Sequence, residues 1–150
     1  MLMISKREQA LSGLFLWLKQ DLVNVQVCRN EPFPTKIPKG GLVIMRDGDV
    51  GEPEITLSPT RYHYSHAVEL EVMIQNSDPD TRDQDLDQLM VQIGQILTEP
   101  ITSYIQLSTH VDFLHVGTPE ILIEAPDGVS AIKAALVPVF LEYSTLNPLL

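Results

Sequence analysis

RYHYSHAVELEVMIQ, residues Arg61–Gln75, decides how the rest of the chain is read. Tyr62, Tyr64, His66, Val68, Leu70, Val72 and Ile74 alternate with His63, Ser65, Ala67, Glu69, Glu71 and Gln75. A period of two places alternate side chains on opposite faces of an extended strand, so this segment is a strand with one apolar face. At the usual rise per residue it spans about 45 Å. That is longer than a small sheet readily pairs, so the end at residues 62–66 is expected to project from the body. Its open backbone groups would then need a neighbour to cover them.

Helical patterns flank the strand on both sides. After it, Asp78 or Asp80 can cap a helix whose first turns hold Asp83, Asp85 and Asp87 at the positive end of the helix dipole. Leu86, Leu89, Met90, Ile93, Ile96 and Leu97 form its apolar stripe, and Pro100 stops it. Near the N-terminus, Ser5 and Glu8 have the spacing of a capping box. A helix over residues 5–20 follows, with Leu11, Leu14, Phe15, Leu18 and Leu22 along one side. Val23, Val25 and Val27 then return to a period of two, which predicts a short strand.

The remaining elements are shorter. Residues 42–45 read as a buried strand, Asp47-Gly48 with Gly51 and Pro53 as a turn, and residues 54–57 as the second arm of a hairpin. Residues 104–107 and 111–116 have weaker strand character, and residues 120–125 lead into a turn at Pro126-Asp127-Gly128. Residues 131–143 fit helix or strand by pattern. Pro138 in their middle would cost a helix about 3 kcal/mol, whereas an edge strand accepts it where the missing amide faces outward. A strand is expected. The fold class is therefore α/β (α+β): one domain over residues 1–150, with a mixed, largely antiparallel sheet, two amphipathic helices on it, and a projecting hairpin or long strand.

Composition narrows the partners. The 150 residues hold 10 basic and 20 acidic side chains, a formal charge of −10. Phosphate contacts need clustered Lys and Arg, so nucleic-acid recognition is not expected. A chain of this length buries about two-thirds of its surface and needs neither disulfide nor metal to fold. Cys28, the single cysteine, reads as a small packed hydrophobe. Glu8, Gln9 and Lys19 interrupt the apolar N-terminal stretch, which fits neither a signal peptide nor a membrane span. A soluble intracellular protein without membrane contact is expected.

Catalytic patterns are weak. His63, His66 and Glu69 suggest a metal cluster until strand geometry puts His66 on the face opposite His63. His110 and His115 have the same fault in an extended segment. Glu69 and Glu71 share a face, as a carboxylate pair would, but on the polar side of a strand they read more simply as a solvated or intersubunit row. The glycines match no phosphate loop, and there is no nucleophile elbow. DPDTRDQDLD, residues 78–87, lacks the Gly and the Glu that a calcium loop requires. No cofactor, metal or enzymatic activity is expected. Residues 31–41, EPFPTKIPKGG, must form a loop, because three prolines and two glycines forbid a regular ladder. Phe33 and Ile37 make it a candidate docking arm as well as a packed loop.

The helix QALSGLFLWLKQ, the strand YSHAVELEVMIQ running directly into the helix DQDLDQLMVQIGQIL, and the closing AALVPVFLEYST follow one another in an order that resembles the tail terminator (tail completion) proteins of long-tailed bacteriophages, including prophage copies. The likeness covers residues 9–145. It implies a small subunit that forms a ring, commonly a hexamer, which caps the tail tube, ends its polymerisation and joins the head. Its partners would be copies of itself, the tail tube protein and a head-completion protein, in the cytoplasm of a bacterial host or in the virion tail. Two other readings stand beside it: a small enzyme or ligand-binding protein using His63, Glu69 and Glu71, and a baseplate or connector component of a contractile tail-like machine. Charge suggests how copies would meet. Nine of the ten basic residues precede Asp83, while residues 83–150 hold nine acids and Lys133. Arg46, Arg61 and Arg82 are expected to face a neighbour's acids, with Phe33, Ile37, Tyr62 and Tyr64 completing the candidate interface.

Overall fold

In a computed structural model, which describes residues 2–34, 36–122 and 131–150, the alternating stretch Arg61–Gln75 is one unbroken strand, β4. Before it come α1 (Lys6–Asp21), β1 (Gln26–Arg29), β2 (Leu42–Asp49) and β3 (Glu54–Thr56). After it come α2 (Pro79–Thr98), a 3-10 turn (Ile101–Ser103), α3 (Ile105–Ser108), β5 (Phe113–Val116), β6 (Glu120–Ile121) and β7 (Ile132–Thr145). The described strands form one mixed sheet in the order β1-β2-β4-β7-β5, with β3 beside β4 and β6 beside β7. All of its pairings are antiparallel except that of β1 with β2.

The long strand does not stand alone. Every residue from Tyr62 to Gln75 has a partner in β7, from Tyr62↔Thr145 to Gln75↔Ile132. β3 covers the other side of residues 61–63. The expected open end is therefore a paired one, because its partner strand is nearly as long. That partner is not an edge strand either, since β5 and β6 flank it. Pro138 is nevertheless placed as its chemistry demands. Its carbonyl accepts from Gly117 N–H at 2.8 Å, so its missing amide faces the gap between β5 and β6 rather than β4.

Three other expectations fail. Residues 42–45 do not form a hairpin with residues 54–57, because β2 and β3 both pair with β4. Asp47-Gly48 is not a turn. β2 runs through it with a shift in register between Arg46 and Asp49, and Gly48 supplies the positive φ of 71° there. Residues 105–107 are helical rather than extended and only Tyr104 before them keeps an extended backbone; Tyr104 stacks on Trp17 with centroids 5.8 Å apart and Leu107 is buried against α1. The Pro126-Asp127-Gly128 turn lies outside the described residues.

α1 and α2 cover one face of the sheet. Leu11, Leu14 and Leu18 of α1 and Leu86, Leu89 and Ile93 of α2 share a core with Val68, Leu70 and Val72 of β4 and Val137, Val139 and Leu141 of β7. Ser5 caps α1 by accepting from Glu8 N–H at 3.1 Å, but the Glu8 carboxylate turns to Arg29 and Ser12, so only half of the capping box forms. Asp78 caps α2, with Pro79 opening its first turn. Among the described residues no helix is long and apolar enough to cross a membrane.

Leu70→Ala is expected to cost about 2–5 kcal/mol, because its side chain is wholly buried, whereas Leu16→Ala on the outer side of α1 changes stability by less than about 0.5 kcal/mol. The helical glycines give a second contrast. A Cβ on Gly13 would lie 2.8 Å from the Gln106 carbonyl oxygen, while one on Gly94 meets nothing within 4 Å. Gly94→Ala should therefore raise the unfolding free energy by about 0.5–1 kcal/mol of helix propensity, read as a higher urea midpoint, and Gly13→Ala should lower both.

Candidate functional site

The face of the sheet away from α1 and α2 is unevenly covered. At the β1 and β2 end, the part of the proline-rich loop around Ile37 lies over it. Ile37 is 4% exposed against Leu42, Ile44 and Met73, and its N–H donates to Gln75 Oε1 at 2.9 Å. Toward β7 and β5 the register aligns a different set. Leu136, Pro138 and Phe140 of β7 sit opposite Glu71, Glu69 and Ala67 of β4. Glu120 of β6 pairs with Leu136, and Phe113 and His115 of β5 pair with Glu142 and Phe140. Leu136, Pro138 and Phe140 are half-buried, and Phe113 is 54% exposed.

This strip is built, not incidental. His115 stacks on Phe140 with centroids 4.7 Å apart and planes 12° from parallel. A Cβ at Gly117 would meet Pro138 Cγ at 2.7 Å and Phe140 Cε2 at 3.0 Å, so the chain between β5 and β6 lies directly against both rings. Glu69, Glu120 and Glu142 rim the strip without an ion-pair partner among the described residues. An apolar ridge edged by unpaired acids is suited to contact with another macromolecule carrying apolar and basic groups.

The candidate interface residues divide. Phe33 is 61% exposed, as a docking residue needs, whereas Ile37 belongs to the loop's own anchor. Arg46 pairs with Glu71 at 3.1 Å, so both belong to a cross-strand ion pair within the chain. Arg61 donates to Ser144 Oγ at 2.9 and 3.2 Å. Arg82 is 6% exposed and donates to the Asn76 carbonyl at 2.8 Å, which commits it to the start of α2 rather than to the surface. Tyr62 packs half-buried at the core margin, and Tyr64 is a core residue beside Tyr143. His63 is exposed and bonds Thr56 Oγ1 at 2.9 Å, while His66 is buried on the other face. Among the described residues no three His, Cys, Asp or Glu side chains gather where they could hold a metal ion.

Two polar networks join the loops and α1 to the sheet. Arg29 donates to both Glu8 carboxylate oxygens at 2.7 and 2.8 Å and to Asp47 at 2.9 and 3.2 Å. The bonds from Arg29 hold the Glu8 carboxyl below its usual value. Burial pushes Asp47 up, but bonds from Arg29 and Asn30 outweigh it and leave Asp47 low as well. The guanidinium is raised in turn, by Glu8 first. Deeper in, His66 is 1% exposed between the Tyr143 hydroxyl at 2.9 Å from Nδ1 and the Asp47 carbonyl at Nε2. A carbonyl can only accept, so Nε2 carries the proton and Nδ1 accepts from Tyr143. Burial lowers the His66 pKa despite the opposing Asp47 carbonyl and the charges of Asp47 and Asp49, and Arg7 lowers it further. Burial also pushes the Tyr143 hydroxyl up to about 12.

Neither known protein families nor curated proteins give a match to this chain.

These shifts set a pH dependence. The unfolded chain takes up a proton at His66 near the ordinary 6.5, and the folded chain resists it until lower pH. The stability contributed by neutral His66 is therefore fully present above 6.5 and declines as pH falls through that value. Glu8 and Asp47, both lowered, add a second loss at pH below their ordinary 4.5 and 3.8. His110, also lowered by burial and by Lys6, contributes to the first window. Urea midpoints of His110→Gln measured from about pH 7.5 to 5 should still fall with acidity. Adding His66→Asn should flatten that decline while lowering stability at every pH.

Proposed function

We propose that this chain is a non-enzymatic structural subunit of a phage or prophage tail. It closes head to tail into a ring, caps the end of the tail tube and offers the surface to which the head joins. The observation that carries this reading is the apolar strip of Leu136, Pro138, Phe140 and Phe113, which the described residues cover only in part and which is rimmed by acids without ion-pair partners among the described residues. The order of α1, the β4-to-α2 junction and the closing β7 is in keeping with the resemblance to tail terminators.

A heterologous contact that closes makes a ring, and one that does not makes a filament. Closure is thus a physical way to end a polymer. Repulsion opposes it, because six copies would carry a formal charge of about −60, and salt screens such repulsion beyond about 8–10 Å. Light scattering over an approximately hundredfold range of concentration is expected to give one fixed multiple of 16.8 kDa, populated more readily at higher salt, with rings in negative stain. A mass that stays at 16.8 kDa throughout, with no rings, contradicts the proposal.

A further inference from the structure

The strip and the loop of residues 31–41 lie on the same face of the sheet, at opposite ends of the strand order. The strip is apolar with an acidic rim. The loop's outer surface has the complementary chemistry. Phe33 is 61% exposed, and Lys36 and Lys39 are exposed with no ion pair among the described residues. The loop holds one acid, Glu31, and so carries a formal charge of +1 in a chain of −10. Its prolines restrict the backbone before binding, which lowers the entropy lost when it docks. Ile37 and the bond to Gln75 hold the base of the loop on β2 and β4, and Phe33 is left without a buried site on its own subunit.

We infer that the loop of one copy docks on the strip of the next. Phe33 lies against Pro138, Phe140 and Phe113, and Lys36 approaches the rim formed by Glu69, Glu120 and Glu142. The inference rests on the ring reading above and specifies its contact. Because loop and strip are different patches, the contact is heterologous, so each copy uses one of each and the chain of contacts can close. An exposed aromatic that becomes buried against an apolar surface is the kind of residue that carries a large share of binding energy.

The test measures assembly of the full chain by light scattering, with circular dichroism as a check on folding. Phe33→Glu and Phe113→Glu both change exposed side chains. Each is expected to raise the concentration of half-assembly by at least about tenfold. Each variant retains one intact patch, so an equal mixture of the two should form dimers and nothing larger. Lys36→Glu with Lys39→Glu should weaken assembly, and adding Glu69→Lys with Glu142→Lys should restore it. A wild-type chain that assembles while Phe33→Glu assembles equally well overturns the loop contact alone. A wild-type chain that remains monomeric overturns the ring and the contact together. If assembly instead depends on the exposed apolar Leu2, Met3 and Ile4, so that Leu2→Glu with Met3→Glu abolishes it and Phe33→Glu does not, the strip's occupant is the N-terminal segment and the inference is wrong.

Discussion

The antiparallel ladder between β4 and β7 is the constraint on which the rest of the structure depends. Its continuous register from Tyr62↔Thr145 to Gln75↔Ile132 fixes which side chains share each face, since a slip of one residue would exchange the two faces completely. In the observed register Val68, Leu70, Val137 and Val139 meet the helices. The same register gathers Glu69, Ala67, Pro138 and Phe140 on the other face. Core and candidate contact surface are therefore set by one pairing.

The ladder does not by itself hold the N-terminal helix or the strands at β1 and β2. Arg29 does part of that by binding Glu8 of α1 and Asp47 of β2 at once, and Asp47 carries the connection inward through its carbonyl to His66 and Tyr143. The carboxylates of the outer network are 44% and 43% exposed, so their pairing with Arg29 contributes less than the short distances suggest. The buried His66 bonds matter more, because removing either partner would leave a polar group without water. Acid acts on both networks, on the inner one first.

Sequence alone exposed the parts of the fold governed by local periodicity. The alternation of Arg61–Gln75 and the stripes of α1 and α2 required no knowledge of distant residues. Partnership was different. Nothing near β2 says that its neighbours are β1 and β4 rather than β3, and nothing near Arg29 points to Glu8, twenty-one residues away. Ile105 to Leu107 misled because their pattern fits a strand in isolation, while the stacking of Tyr104 on Trp17 and the close approach at Gly13 hold the short helix that follows Tyr104 against α1. Pro138 gave an intermediate result: its chemistry predicted the outward amide but could not reveal the short strands β5 and β6 on either side of the gap. Of the candidate site, Phe33 was legible from an aromatic in a proline-rich loop. The strip was not, because Phe113 and His115 join Phe140 on one face only through the register of β5 on β7.

A sheet covered on one face and left with an apolar, acid-rimmed strip on the other suits a subunit that completes its burial against another molecule. Ring closure then links this surface to the proposed role, because a closed set of contacts leaves no free patch from which the assembly could grow in its own plane. The most direct measurement is the distribution of tail lengths in electron micrographs of particles from a lysogen with this chain deleted, compared with the same lysogen expressing it. The account predicts tubes of irregular, excessive length without heads in the deletion and uniform headed tails when the chain is supplied. Uniform, headed tails in its absence would contradict the account.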